Sequence, residues 1–517
     1  MRSSLGIWRA LDHARRMNLE SAGELHCGTA PDGITRRRLI AAIAGGGAAL
    51  VLPRAVARAA ERRRVIIVGG GLAGLSALRH LRASGADAIL YEARPMVGGR
   101  TRSARGVFAP DYAFDLGGQL VNSDHADLRA LIRALGLRLI DRSASGEGRE
   151  IQIARSGKPV RESSLAQALR PIARVIGRDS ERLDADYANV APAIDGLSVK
   201  NYLDAHNMPP GDARQALEAG IRTEYGLEPD QASAIELVFN LPTIDGARVT
   251  RLSLSDERYL VEGGAGRVAE ELAKRMAGAI RLNKRLASIN IEAPRARLTF
   301  ADGEMAEADR VILALPAPLL RDIRIEGLLP TLWRQLIDEV RLGSNEKLIV
   351  GYDRRAWRKS LGADGALWAS EGFSEAWDSA SVIQRPSAPG ALTYFLGGAQ
   401  VAAASASDSR ALRQRFSSIA SRAIPGLPAP NGRVRRTRWT DDPLTRGAYI
   451  GFRPGQLTRF GSLLTLEGEG GTRASGFGPL LFAGEWLSDA WPGYMNGAVQ
   501  TGRIAAEAAL HAEALAA

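Results

Sequence analysis

Cysteine is almost absent from this chain. One residue, Cys27, serves all 517 positions, and it lies in an N-terminal segment that reads as removable, so a mature chain would have no disulfide, thiol nucleophile or cysteine metal ligand. Histidine is scarce too. The six, at positions 13, 26, 80, 125, 206 and 511, show no metal-ligand spacing, and no metal is expected. No G-x-S-x-G elbow occurs, which leaves hydrolytic nucleophile chemistry without a carrier. The apolar run Leu39 to Leu52 contains Gly45, Gly46 and Gly47 and falls short of the ~20 residues that span a bilayer. Lysine occupies only positions 158, 200, 274, 284, 347 and 359, so a lysine inside a motif is informative.

The composition, 45% hydrophobic and 24% charged, is that of a folded protein, and at roughly 150 residues per domain the length allows two to four. The charge of +11 comes from basic residues interleaved with acidic ones, so no nucleic-acid partner is expected. Thr35-Arg36-Arg37-Arg38-Leu39-Ile40 sets an arginine pair before the apolar run, and Ala55-Val56-Ala57 and Ala57-Arg58-Ala59 are small-x-small cleavage sites. Residues 1–59 therefore read as a twin-arginine export signal, with Met17 as an alternative start. With nine arginines and four acidic residues, the segment leaves +6 on the remainder. That route carries folded chains with cofactor already loaded. The expected partner is the twin-arginine machinery, and the expected location is periplasmic or otherwise exported.

The strongest motif follows. Arg64-Val65-Ile66-Ile67-Val68 is a short apolar run suited to a buried parallel strand, and Gly69-Gly70-Gly71-Leu72-Ala73-Gly74 leads from it into the helical pattern Leu75, Leu78, Leu81. In this G-x-G-x-x-G, Gly69 allows the tight turn, Gly71 lets a pyrophosphate approach a helix N-terminus, and Gly74 lets helix and strand pack closely. A second strand, Ala88 to Tyr91, ends in Glu92, placed to accept hydrogen bonds from ribose hydroxyls. That selects a dinucleotide without a 2′-phosphate.

Directly after the ribose acid comes Ala93-Arg94-Pro95-Met96-Val97-Gly98-Gly99-Arg100-Thr101, whose glycines and arginine can wrap the far side of a pyrophosphate. The stretch Glu92 to Thr101 resembles, residue by residue, the E-A-x-x-x-x-G-G-R-T signature of the flavin-containing amine oxidase family. Phe114 to Val121, with Gly117, Gly118 and Gln119, is similar to that family's strand beside the isoalloxazine. Leu480 to Glu485 and Trp491 to Val499 resemble its C-terminal motif. By this resemblance Gly484 and Glu485 meet the ribityl chain, and a helix starting at Met495 faces the pyrimidine end of the flavin, where its N–H groups and partial positive charge favour reduced flavin.

The resemblance continues through the interior. Val261 to Val268 looks like the family's loop into a helix, and the strand Leu282 to Ile289 should lie along the adenine, with Leu286 as its backbone contact. Leu342-Gly343-Ser344-Asn345-Glu346-Lys347 matches L-G-S-x-x-K, whose lysine holds a water against flavin N5. In Trp439 to Tyr449 the family's pattern makes Tyr449, with Tyr494, the aromatic walls of an amine cage on the re face, attracting an ammonium group while favouring the reactive neutral amine. Animal monoamine oxidases carry a thioether-linked cysteine just before that tyrosine. Here Ala448 stands instead, so FAD is expected to be non-covalent. His125, after the flavin-side strand, reads as a solvated loop residue or, as in polyamine-oxidising relatives, a substrate contact.

The expected architecture is an α/β, two-domain FAD-binding flavoprotein with a Rossmann-like, GxGxxG dinucleotide fold. Residues 60–150, 250–295 and 440–517 form a discontinuous FAD domain, and residues 151–249 and 296–439 a substrate domain of mixed sheet plus helices, with helical patterns at Ala213 to Arg222 and Asp230 to Leu237. The expected activity is oxidation of a primary or secondary amine, monoamine or polyamine, to an imine that water hydrolyses, with O2 reduced to H2O2. The rival within the fold is an L-amino-acid oxidase, which needs an arginine for the substrate carboxylate. Gly117 to His125 contains none, though Arg222 or Arg453 could substitute. A desaturase or porphyrinogen-type oxidase, and a flavin-binding subunit without turnover, are the remaining alternatives.

Overall fold

The computed structural model describes residues 5–22, 63–142, 150–153, 157–239, 243–245, 248–250, 256–362, 365–380, 388–468 and 471–511. The twin-arginine motif, its cleavage sites and Cys27 lie outside them.

Arg64–Val68 is buried on both faces beyond its first residue, as an unbroken β-branched run in a parallel sheet must be. It sits mid-sheet: the strand order is Ile280–Arg281, Asp87–Tyr91, Arg64–Val68, Arg310–Leu313, Leu480–Phe482, Ser475–Phe477. The pairs are parallel except the last, a hairpin. The strand Val311-Ile312-Leu313, expected in the second domain, thus lies between Arg64–Val68 and Leu480–Phe482 in the dinucleotide sheet. A second departure is Leu282 to Ile289. Strand geometry runs over Leu286–Glu292, while Asn283 takes φ 60° to turn the chain. The strands Leu286–Glu292, Arg295–Phe300 and Met305–Ala308 form an antiparallel meander, so the expected boundary at 295/296 falls inside a hairpin. Tyr91 stacks on Phe300 at 4.3 Å between ring centroids, fastening this sheet to the first.

Helices Leu72–Ala83 and Met495–Leu510 both begin at the C-terminal edge of the central sheet and pack against each other. Gly502 makes the contact: a Cβ there would stand 2.1 Å from the carbonyl oxygen of Ala73.

The second layer is a seven-stranded sheet in the order Val434–Arg436, Asn345–Tyr352, Gly390–Gly397, Glu375–Asp378, Ala366–Ala369, Glu150–Ile153, Pro159–Val160. One face packs Tyr352, Tyr394 and Phe373 against Phe416 of helix Ser409–Ser421, and the buried Tyr352 hydroxyl bonds the hydroxyls of Tyr394 and Ser417, each at 2.6 Å. The other face carries Lys347. Helices Glu162–Ala185, Tyr187–Asp195, Val199–Ala205, Asp212–Tyr225 and Ala234–Phe239 make the rest. The first expected helical pattern extends to a longer helix. The second starts late, because Ser233 is drawn into a bridge with Ser198.

Residues 1–59 were expected to be an address without structure, but Leu5–Ala22 is a helix in the core of this layer. Ile7, Ala10, Leu11 and Ala14 are buried, the spacing that puts one stripe against a partner. The partner is helix Glu162–Ala185. Asn18 and Arg170 fix the register: Asn18 Nδ2 donates to the Arg170 carbonyl and Arg170 Nε to Asn18 Oδ1, both at 2.9 Å.

Leu11 is fully buried, so Leu11→Ala should cost about 2–5 kcal/mol, read as a lowered thermal midpoint. An unchanged midpoint would mean that residues 5–22 do not pack here.

Candidate functional site

One continuous cavity is lined at one end by Gly69, Gly71 and Glu92 and at the other by Lys347, Tyr449 and Tyr494. Every residue assigned to the cofactor, together with Lys347, Tyr449 and Tyr494, lines it, except Gly74. Gly74 works from behind: a Cβ there would lie 1.9 Å from the Gly69 carbonyl oxygen, so only glycine lets the helix start so close to the strand. Gly69 has φ 109° and faces the Ala314 carbonyl, 2.4 Å from where its Cβ would be. Gly71 is the converse case, since no described atom lies within 4 Å of its Cβ position. The space before the helix is open, as a pyrophosphate needs. No acidic residue occupies the first turn of Leu72–Ala83, which leaves its N–H groups available to an anion.

Glu92 is held in place by two backbone donors, Gly70 N at 2.6 Å and Arg94 N at 2.8 Å. Burial raises its pKa, against those hydrogen bonds. Gly98 donates to the Gly70 carbonyl at 2.8 Å, and a Cβ on Gly99 would meet the Gly71 Cα at 3.4 Å. The two glycine loops therefore stand back to back, with Arg100 beside them. Leu286 opens its strand at the same end, after the backbone N–H of Lys284 donates to the Glu92 carbonyl at 2.8 Å. These residues fit a dinucleotide.

Toward the other end the glycines of Phe114 to Val121 are again matters of space. A Cβ on Gly117 would lie 1.7 Å from the Arg100 carbonyl oxygen and 3.2 Å from the Trp439 ring, and one on Gly118 2.9 Å from Met495. Trp439 Nε1 donates to the Leu116 carbonyl at 3.3 Å. Helix Met495–Leu510 starts at Met495, with Tyr494 as its N-cap and no acid in its first turn. Gly484 (φ 154°) is tied to that helix by its N–H to Thr501 Oγ1 at 3.0 Å.

Lys347 is buried, and its three ammonium donors have three acceptors: the Gly117 carbonyl at 2.8 Å, the Asp115 carbonyl at 3.2 Å and Gln119 Oε1 at 3.2 Å. Loss of solvent pulls its pKa down to about 8, opposed by Asp115. A base and an acid form are thus both accessible near neutral pH. Gln119 Oε1 also accepts from Trp377 Nε1 at 3.2 Å, so lysine and tryptophan share one anchor.

Glu485 links the segments that carry the two tyrosines. One oxygen pairs with Arg100 Nη1 at 2.6 Å, and the other accepts from Ile450 N at 3.3 Å and Gly493 N at 2.9 Å. Arg100 Nη1 also donates to the Ala448 carbonyl at 2.6 Å. The Tyr449 hydroxyl donates to the Thr223 carbonyl at the end of helix Asp212–Tyr225. Tyr494 is braced by His125, edge-on at 5.2 Å, and His125 also meets Trp491 at 5.1 Å. His125 is therefore neither a solvated loop residue nor a cavity-lining one: it is fully buried behind the wall. Its Nδ1 accepts from Asn122 N at 3.1 Å, which leaves the ring hydrogen on Nε2. Burial brings its pKa down to about 3, so the ring is neutral.

Glu375, Trp377 and Phe395 are among the lining residues that escape the sequence reading. Glu375-Ala-Trp-Asp is a four-residue strand, too short and too polar to announce its face. The arginines considered for a substrate carboxylate stay out of the cavity: Arg222 Nε is engaged by both oxygens of Glu228 at 3.0 and 2.9 Å, and neither it nor Arg453 is among the lining residues.

The family model for flavin containing amine oxidoreductase matches residues 72–510. Flavin-containing amine oxidase B of Sus scrofa is 25% identical over 458 residues, covering 86% of this chain and 85% of that protein. A flavin-containing amine oxidase of Oncorhynchus mykiss is 24% identical over 455 residues, covering 85% and 84%. Among solved structures, putrescine oxidase bound to putrescine superposes with TM-score 0.72 at 22% identity, covering 86% of this chain and 98% of that one. Cyclohexylamine oxidase from Brevibacterium oxydans gives 0.72 at 23%, covering 87% and 99%. At these identities the structures show a shared fold.

Glu485→Gln keeps the volume but removes the charge that faces Arg100, and should cost about 2–4 kcal/mol. The expected outcome is a lowered melting temperature and a smaller ratio of flavin to protein absorbance in the purified variant. Retention of both at wild-type values would show the link to be dispensable.

Proposed function

Because this chain belongs to the flavin-containing amine oxidoreductase family, we propose that it oxidises a primary or secondary amine, monoamine or polyamine, using non-covalent FAD and dioxygen. When bound, FAD supplies the two-electron acceptor for the hydride equivalent leaving the carbon next to nitrogen, and dioxygen then takes the electrons as H2O2, while the imine product is hydrolysed by water to an aldehyde or ketone. Gly71, Gly99, Arg100 and Glu92 would hold the dinucleotide, and the N-terminus of helix Met495–Leu510 its pyrimidine end.

The observation that carries the reading is the convergence of Lys347, Tyr449 and Tyr494 on one cavity with the dinucleotide elements. Tyr449 and Tyr494 orient an amine by offering ring faces to its cationic form, and their apolar bulk favours the neutral form that reacts. In its neutral form Lys347 offers a lone pair at Nζ that can accept from a water or take a proton, and its acceptors at Gly117, Asp115 and Gln119 hold the ammonium form. The arginines that line the cavity among the described residues are Arg94, Arg100 and Arg285, of which Arg94 and Arg100 flank the dinucleotide loop. An amine substrate fits this distribution better than an amino acid. Export of the loaded protein by the twin-arginine route belongs to the same proposal, supported by Arg36 and Arg37 ahead of the apolar run, with the leader retained, since helix Leu5–Ala22 packs in the core.

Anaerobic mixing of purified protein with monoamines, diamines, polyamines and L-amino acids should bleach the flavin band with amines. Bleaching by amino acids alone would move the assignment to the carboxylate-binding rival. With Ala448 before Tyr449 and Cys27 as the chain's single cysteine, acid or heat denaturation should release all yellow colour into the supernatant. Colour remaining on the precipitate would refute non-covalent binding.

A further inference from the structure

We propose that Trp377 and Gln119 are positioning residues that act through Lys347: the indole N–H fixes the Gln119 amide with its oxygen toward Nζ, and the pair thereby sets the pH at which the lysine exchanges its proton. Its use in the reaction rests on the amine-oxidase reading above. Lys347 pairs with Phe395, and Phe395 pairs with Glu375. Directly paired residues project to one face of a sheet, and alternate residues of a strand share it. Trp377, two positions on from Glu375, therefore stands on the face that carries the lysine. Its ring lies edge-on to Phe395 at 5.4 Å, with its centroid 5.7 Å from Nζ. Its Nε1 donates to Gln119 Oε1 at 3.2 Å, the atom that also accepts from Nζ at 3.2 Å. An indole nitrogen only donates, so the amide atom between the two must be the oxygen.

The pin matters because the other two acceptors of the lysine cannot turn into donors. They are the carbonyls of Gly117 and Asp115. An ammonium fills three acceptors with three hydrogens, whereas a neutral amine has two, and its lone pair is left facing an oxygen. An unpinned glutamine would answer by rotating its amide and offering an N–H to that lone pair. Here the rotation would set the amide N–H groups against the indole N–H, and both side chains are buried, so water does not relieve the conflict. The ammonium form is therefore favoured, by its hydrogen bonds and by the ring face beside it. This opposes the burial that draws the lysine down to about 8. Asp115 also favours the ammonium, and is itself held by Ser103 Oγ at 2.6 Å and Ala265 N at 2.8 Å. The other ionisable groups around the lysine are Glu346, paired with Arg436 at 2.9 Å, and Glu375, Tyr449 and Tyr494 along the same cavity. The variants below leave all of these in place.

The test is the titration midpoint of Lys347 in the holoenzyme, read by carbon NMR of protein isotopically labelled at lysine Cε. The chain has only six lysines, and Lys347→Met identifies the signal in question. Trp377→Phe keeps a ring but drops the N–H, and should lower the midpoint by about one pH unit. Gln119→Glu accepts whichever way it rotates and adds a charge, so it should raise the midpoint, and combined with Trp377→Phe it should bring the midpoint back to the wild-type value or above. The pH profile of amine-dependent turnover should shift in the same direction as each midpoint. An unchanged midpoint in Trp377→Phe, or no rise in Gln119→Glu, would overturn the proposal. Because the midpoint is read without turnover, failure of every amine to bleach the flavin would overturn the amine-oxidase reading and not the pin. Should Trp377→Phe not fold, Gln119→Glu decides the matter alone.

Discussion

The site hangs on one carboxylate. Glu485 receives Arg100, Ile450 N and Gly493 N, and so joins the dinucleotide loop to the chain neighbours of both Tyr449 and Tyr494. An ionised carboxylate is suited to this because its two oxygens accept several donors at once. Charge-assisted bonds of this kind are short and directional. Because Glu485 is nearly buried and Arg100 only partly exposed, solvent competes weakly. The segments of Tyr449 and Tyr494 and the glycine loop that carries Arg100 are consequently positioned by the same group.

Around that pivot the cavity is electrically divided. At the dinucleotide end the helix start of Leu72–Ala83, Arg94 and Arg100 favour negative charge. At the far end are Glu375, the ring faces of Tyr449 and Tyr494, and a lysine whose own charge is weakened by burial. The neutral His125 braces Tyr494 without adding a cation. A polyanionic cofactor and a cationic substrate would each be drawn to a different end.

What the sequence made legible was local. The order strand, glycine turn, helix, acid from Arg64 to Glu92 is contiguous, and so are the segments ending at Lys347, Tyr449 and Met495; each carries its residue types at short spacing. What stayed hidden depends on partners distant in the chain. The row of Lys347, Phe395 and Glu375 exists only through register between strands that are not sequential. Arg310–Leu313 reads as a strand but nothing local says which sheet it enters. The helix Leu5–Ala22 has an apolar stripe whose meaning appears only against Glu162–Ala185, and beside a twin-arginine motif it reads as leader.

The order of the central sheet has a consequence for biosynthesis. Arg64–Val68, made early, pairs with Arg310–Leu313, which in turn pairs with Leu480–Phe482. Helix Met495–Leu510 then packs on Leu72–Ala83. A chain still emerging from the ribosome has the glycine turn but neither its far neighbours in the sheet nor Glu485, and non-local pairings of this kind form slowly because long loops must close first. The dinucleotide pocket is therefore complete only when Leu480–Phe482 and helix Met495–Leu510 have joined Arg64–Val68 and Leu72–Ala83 across more than four hundred residues of chain.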